Sequence, residues 1–325
     1  MTALTCETLT NWCHPPLAGC FYITGPTASG KTPLALKVAE LVDAEIISMD
    51  SMAIYQGMDI GTAKPSAEDR AKIPHHMLDI VPPTESFSVS CYVRWSHRVA
   101  DEIRARGKRV LVVGGTPLYL KSLLRGMFQG PDADWGFRQA VEDDVRQFGS
   151  AALRLRLEQV DPLSAFRLHP NDIRRMTRAL EVARATGQPL SHWQSQFDTP
   201  APLDRCRVAV LQLPRQRLHE RVNCRVQKMI ERGLLGEVQG LVARFGGLGQ
   251  TASQGVGYKE MLAFLAGQAD WETTVDKIKA HTRQFARRQE IWFRGLQELR
   301  PFPIEADDNC EKTAALVAEW FSLGL

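Results

Sequence analysis

At 325 residues the chain has room for two domains, or for one α/β domain that carries an insertion. Hydrophobic residues at 44% and charged residues at 24% match an ordinary soluble globular protein. A net charge of only +3 means that nothing global points to nucleic acid, so any such role must rest on local patches.

Residues 1–19 contain Glu7 and no Lys or Arg, which argues against a signal or transit peptide. They read as a disordered leader. The seven cysteines, at positions 6, 13, 20, 91, 206, 224 and 310, include no C-x-x-C pair. An odd, dispersed set of this kind reads as reduced thiols in a cytoplasmic protein. Cys6, Cys13 and Cys20 recur every seven residues beside His14, but zinc clips usually show much closer ligand pairs. No window approaches about 18 apolar residues, so no membrane span is expected.

Four short aliphatic or β-branched runs read as buried parallel strands: Cys20–Thr24, Glu45–Met49, Arg109–Val113 and Arg207–Leu213. Helical patterns over Thr32–Leu41 and Ser88–Arg106 separate the first three, and that alternation predicts a doubly wound parallel sheet. The stretch from Val113 to Arg207 is far too long for a crossover. Within it, residues 128–200 carry helical patterns with Arg/Glu-rich faces and read as an inserted helical subdomain. Beyond Pro214 the chain looks helical again, over Arg217–Gly233, Leu235–Phe245, Tyr258–Ala266 and Trp271–Gly295.

Between the first strand and the first helix stands a complete phosphate-binding loop: Gly25, Pro26, Thr27, Ala28, Ser29, Gly30, Lys31 and Thr32. Its glycines let backbone N–H groups converge on phosphate oxygens at a helix N-terminus. Lys31 adds a point charge, and Thr32 a hydroxyl directed at Mg²⁺. An ATP-using kinase or NTPase would end a second apolar strand with an acid. Here "RVLVVGGT" ends in Gly114-Gly115-Thr116, whereas "EIISMDS" ends in Asp50. An acid at the C-terminal edge of a parallel strand lies where such folds bind ligands. The competing reading of Asp50 is an N-cap for the next helix.

The chain resembles the tRNA dimethylallyltransferase (tRNA isopentenyltransferase) family from about Ile23 to Gly295. Seven blocks carry the resemblance: GPTASGKT (25–32), DSMAIYQGMDIGTAKP (50–65), PHHMLDI (74–80), GGTPLYL (114–120), HPNDIRRMTRALEV (169–182), GVGYKE (255–260) and RQFARRQEIWFRG (283–295). It implies an α/β fold, a P-loop NTPase-like parallel sheet flanked by helices. The catalytic core would span 20–127 and 201–325, with the helical insertion over 128–200 contacting tRNA. It also implies transfer of a dimethylallyl group from dimethylallyl diphosphate to N6 of the adenosine beside the tRNA anticodon, with Mg²⁺ as cofactor. Asp50 would then serve as the base near N6. The phosphate loop, with an arginine, would neutralise the departing diphosphate. Motif alignment favours Arg225 for that arginine, and Arg221, one turn earlier on the same face, would support it. Thr116 would line the channel between donor and acceptor.

The resemblance places tRNA contacts on Asp50, Ser51, Met52 and Ala53, on Thr116 and Arg138, and on Arg174, Arg175, Met176, Thr177 and Arg178. Two more segments follow: Gln254, Gly255, Val256, Gly257, Tyr258 and Lys259, then Arg287, Arg288, Gln289, Glu290, Ile291, Trp292, Phe293 and Arg294. Independently of it, residues 277–294 hold six basic side chains against Glu290 alone, a local net of +5 on a near-neutral body. Trp292 and Phe293 read either as base-stacking or as core residues. Adjacent His75 and His76 read as structural. Two positions depart from the family: Ala53 stands where many relatives carry Gln, and Glu290 puts an acid inside the basic block. No zinc-finger pattern follows Gly295, as in the shorter bacterial form. A monomer is expected, since no self-complementary apolar patch is legible.

Rival readings share parts of this pattern. An adenylate isopentenyltransferase acting on free nucleotide would need neither the insertion nor the basic stripe. A small-molecule kinase is disfavoured by the strand ending in Gly-Gly-Thr, and a non-enzymatic RNA-binding module would not need Lys31 and Thr32.

Overall fold

The computed structural model describes residues 13–201, 206–304 and 310–323. Within the segment expected as a disordered leader, residues 1–12 lie outside this description, and the remainder is ordered. Cys13–His14 (β1) pairs antiparallel with Met127–Phe128 (β6). Leu17 is buried, and its N–H donates to the Leu123 carbonyl at 2.7 Å. An apolar side chain with a paired backbone outweighs the loop-like composition around it.

The core follows in chain order. Cys20–Thr24 (β2) leads through the glycine loop to Lys31–Val42 (α1), then to Ala44–Ser48 (β3). The short helix Ala67–Lys72 (α2) precedes the two-residue strand His75–His76 (β4). Val89–Ala105 (α3), Arg109–Gly114 (β5) and Pro117–Arg125 (α4) complete this half. After the insertion come Cys206–Gln212 (β7), the helices Arg215–Glu231 (α9), Leu234–Phe245 (α10), Tyr258–Leu265 (α11) and Trp271–Arg294 (α12), then Leu299–Pro303 (β8) and Cys310–Ser322 (α13).

Six strands form one parallel sheet in the order β4-β3-β5-β2-β7-β8. The four expected strands are its inner members. Every residue of β2 is buried because both faces are covered. Phe21 and Ile23 pack with Leu34 and Val38 of α1 and with Val317 and Phe321 of α13, the Phe21 and Phe321 rings stacking at 4.5 Å. The alternate residue, Tyr22, lies on the other face, where its hydroxyl donates to the Leu17 carbonyl. The two edge strands were not legible in the sequence. β8 carries Pro301 and Pro303, which only an edge position tolerates, and β4 is two histidines long. His76 Nε2 lies 2.7 Å from the Glu45 carboxylate, so the histidine pair is structural here.

The chain divides into two compact units: Leu17–Leu124 with Pro200–Leu325, and Arg125–Thr199 with the described residues through Pro16. The second is helical, with Trp135–Val160 (α5), Pro162–Arg167 (α6), Ile173–Thr186 (α7) and Leu190–Trp193 (α8). Val141, Leu153, Leu157, Ala165, Met176 and Ala179 form its own core. Gly149 breaks α5 with φ 81°, a conformation that glycine adopts without steric cost.

A second core cluster holds the 50–65 stretch. Ile54, Tyr55 and Met58 pack against Val226, Val238, Tyr258 and Ile278 from the four helices α9 to α12. Gly61 lies flat on the Tyr258 ring, so close that a Cβ would meet it at 2.5 Å. Gly61→Ala should therefore lower stability by about 1–3 kcal/mol through overpacking, read as a fall in Tm.

Candidate active site

The glycine loop ends in a helix whose first turn has no partner of its own. Gly30 occupies the N-cap with φ 93°, no side chain caps α1, and no acid stands in its first turn. The free N–H groups and the helix dipole make this end an anion site. Gly25 adopts φ 150°, and a Cβ there would meet Leu211 O and Ser29 Oγ at 3.0 Å each. Ala28 takes φ 63°, a strained choice for a non-glycine residue. Lys31 folds back over the loop, Nζ donating to Gly25 O at 2.9 Å and Pro26 O at 2.7 Å. Burial, and then the Arg225 guanidinium, push its ammonium down to about 7 against the pull of Asp50.

Asp50 stands two residues past the end of β3. Its Oδ1 accepts the N–H groups of Met52 at 2.8 Å and Ala53 at 3.3 Å, closing a turn. No helix starts here, and the next one, α2, is capped by Ser66, so the N-cap reading does not hold. Oδ2 takes no hydrogen bond from any described residue. Beside it, Thr116 Oγ1 accepts the Ser51 N–H at 3.1 Å. The neighbouring strand end explains why "VLVVGGT" carries no acid: a Cβ at Gly114 would lie 2.1 Å from Met49 O, leaving no room for any side chain.

Thr27 to Thr32, Asp50, Gly115, Arg221, Arg225 and Gln289 line one cavity of about 530 Å³. Gly25 and Pro26 are buried behind it, and Thr116 stands one residue beyond its lining. Arg221 donates to Ser29 O at 3.4 Å and Arg225 to Thr62 O at 3.2 Å. Burial holds the Arg225 guanidinium below its ordinary value, with Asp50 opposing. The result is a cationic end made by Lys31, Arg221 and Arg225, with the Asp50 carboxylate lining the same cavity. No three His, Cys, Asp or Glu side chains cluster to hold a metal among the described residues. The oxygen donors present, the Thr32 hydroxyl and the Asp50 carboxylate, therefore suit an ion that draws most of its ligands from a diphosphate and water.

Two supports have no signal in the sequence. Glu237, in the first turn of α10, accepts the N–H groups of Asp59, Ile60 and Gly61 at 2.6–3.2 Å and the Tyr258 hydroxyl at 2.7 Å. Lys64 is buried against Tyr55 O, Asp59 and Asp79. Together they fix the loop that forms one wall of the cavity.

The segments expected to touch tRNA divide by burial. In the helical unit Arg174 and Arg175 are exposed, whereas Met176 and Thr177 point into that unit's interior. Arg138 and Arg178 both grip the buried Glu181, at 2.8 and 2.5 Å, and Arg138 also lies over the Trp135 ring. In the core unit Gln254 and Lys259 are exposed and Val256 is half-buried, while Gly255, Gly257 and Tyr258 are buried. Ser51 and Met52 are half-buried and Ala53 is buried. On α12, Arg287, Arg288, Ile291, Trp292 and Arg294 are exposed, Glu290 is half-buried, and Gln289 and Phe293 face the core. A helix presents only one face to a partner. Met176, Thr177, Tyr258 and Phe293 accordingly turn their side chains inward, whereas the buried Ala53 and Gln289 line the cavity. Phe293 is a core residue, and Trp292 alone keeps the option of stacking.

Comparison with known proteins identifies the family. The family model described as IPP transferase matches residues 53–296. A tRNA dimethylallyltransferase of Rhodopirellula baltica is 50% identical over 86% of this chain and 86% of its own. One of Neisseria meningitidis serogroup B is 44% identical over 86% and 90%. The crystal structure of the full-length tRNA isopentenylpyrophosphate transferase of Bacillus halodurans has a TM-score of 0.66 at 35% identity, covering 94% of this chain and 98% of its own. A eukaryotic dimethylallyltransferase captured acting on tRNA has a TM-score of 0.77 at 26% identity, covering 94% and 80%. By sequence and by fold, this chain belongs to the IPP transferase family.

Proposed function

We propose that the chain transfers a dimethylallyl group from dimethylallyl diphosphate to N6 of the adenosine beside a tRNA anticodon, releasing diphosphate. One observation carries this: Asp50 shares its cavity with a phosphate loop, Lys31 and two arginines, while the strand end that would hold a hydrolytic acid is closed by Gly114. An exocyclic adenine amine is a poor nucleophile because its lone pair is delocalised into the ring. As N6 bonds to the prenyl carbon, its proton passes to Asp50 Oδ2. The carbon–oxygen bond breaks at the same centre, and its electron pair leaves on the diphosphate. Lys31, Arg221, Arg225 and the loop N–H groups neutralise that charge. Mg²⁺ bound at Thr32 and the diphosphate oxygens would add further charge neutralisation.

RNA loops offer unstacked bases, so the acceptor reaches such a site without opening a duplex. Each unit offers exposed cations for its backbone: Arg174 and Arg175 on α7, Arg287, Arg288 and Arg294 on α12. A free nucleotide would need neither set, which disfavours it as acceptor. A cytoplasmic monomer is part of this reading, and no helix among the described residues is long and apolar enough to cross a membrane.

Product analysis with tRNA or AMP, Mg²⁺ and each donor in turn tests the reading. Prenylated tRNA adenosine from dimethylallyl diphosphate is the expected result, and prenylated AMP alone would overturn it. Neutralising Arg287 or Arg288 should also weaken tRNA binding and flatten its slope against log salt by about 0.7–0.9 per lost phosphate contact. Donor binding should not change. An unaltered slope in both variants would remove α12 from the interface.

A further inference from the structure

Gln289 lies in the block that the family resemblance assigns to tRNA, yet it is only 3% exposed. Its amide makes two hydrogen bonds in opposite senses. Oε1 accepts the Thr27 N–H of the phosphate loop at 2.8 Å, and Nε2 donates to the Gly115 carbonyl at 2.6 Å. These partners stand on the two sides of the reaction. Thr27 belongs to the loop that takes the diphosphate. Gly115 leads into Thr116, whose hydroxyl holds the Ser51 N–H next to Asp50. A Cβ on Gly115 would lie 2.6 Å from Nε2, so glycine is needed there for the amide to reach.

We propose that Gln289 is a positioning residue whose single amide ties the phosphate loop to the end of β5 and so fixes the leaving group relative to Asp50. The inference rests on the prenyl-transfer reading above. Its chemistry is specific, because the position requires one donor and one acceptor on a planar group. A carboxylate still accepts from Thr27, but it turns a second oxygen towards the Gly115 carbonyl. A neutral carboxylic acid supplies both bonds again. Methionine, of similar length, supplies neither and leaves the half-buried Thr27 N–H and the buried Gly115 carbonyl without this partner.

Gln289→Glu therefore carries its own rescue. The charged groups that line the cavity with it are Lys31, Asp50, Lys64, Asp69, Arg221, Arg225, Lys228 and Arg232, and Arg288 and Glu290 are its neighbours in sequence on α12. The cations favour a carboxylate and burial disfavours it. That contest sets the pH at which rescue begins, and protonation restores the donor in either case.

The test is single-turnover prenyl transfer to tRNA by the wild type, Gln289→Glu and Gln289→Met, between about pH 5 and 8.5, where a buried carboxyl can titrate. At the alkaline end the Glu variant should be about 10²-fold slower than wild type, as for a misplacement of about 1 Å. Its rate relative to wild type should climb as pH falls. The Met variant should be slow by a constant factor throughout, and both should keep the wild-type KM for tRNA. A Glu variant at wild-type rate, or one whose relative rate is as flat with pH as that of Met, overturns the inference. If thermal melting shows that the Glu variant does not fold, a folded Met variant at wild-type rate overturns it alone. A wild-type enzyme that does not prenylate tRNA sinks the functional reading itself, whereas an active wild type with flat variants sinks only the role of Gln289.

Discussion

Asp50→Asn should lower turnover by roughly 10²- to 10⁴-fold, the range of a lost general base, with donor affinity little changed. The structure makes this substitution informative because Asp50 has two separable jobs. Oδ1 accepts the Met52 and Ala53 N–H groups, and asparagine keeps an oxygen for them. Oδ2 has no partner among the described residues, and asparagine replaces it with an amide nitrogen that cannot take a proton. A purely turn-closing aspartate predicts near-normal rates for Asp50→Asn and a loss only for Asp50→Ala. A catalytic base predicts that both are slow, with Asp50→Ala also less stable by about 0.5–1.5 kcal/mol for each turn hydrogen bond lost. Single-turnover rates set beside melting temperatures separate the two, and wild-type turnover by the Asn variant rejects the base.

The loop, the four inner strands and Asp50 were legible because each depends on local chemistry. Buried parallel strands read as continuous aliphatic runs, and a phosphate loop needs glycine where φ is positive. The edge strands were not legible: in β8 two prolines override strand propensity, and β4 is too short to show a period. The same limit applied to the site. Glu237 and Gln289 look like ordinary helical polar residues, and only the fold brings them to backbone groups far along the chain. Motif resemblance named contiguous RNA-contacting blocks, but a helix turns about 100° per residue, so each block also contains inward-facing positions such as Met176 and Phe293. The absence of an acid after β5 was visible from the start, and its cause, the Met49 carbonyl pressed against Gly114, was not.

Lys31→Ala should weaken the donor by about ten- to a hundredfold, the value of one charge-assisted contact. Turnover should fall further, because the departing diphosphate gains charge as the bond breaks. Binding of tRNA, carried by other side chains, should survive. A pH signature distinguishes this role from packing. Burial and Arg225 push the Lys31 ammonium down to about 7, below the ordinary lysine value of 10.5. The charged form is therefore the costly one in the folded protein. That cost is complete below about pH 7 and is relieved as pH rises towards the unfolded value. Lys31→Met should accordingly raise Tm at acid pH more than at alkaline pH. A diphosphate reverses the preference, since it needs the ammonium. Above about pH 7 donor binding must draw in a proton, so affinity falls with rising pH by at most tenfold per unit. Diphosphate titrates as well, and Lys31→Arg provides the reference, because a guanidinium stays charged throughout. The ratio of wild-type to Lys31→Arg donor affinity should decline from neutral to alkaline pH. A ratio independent of pH would show that Lys31 is charged with or without the donor, and that its contacts to the Gly25 and Pro26 carbonyls merely hold the loop.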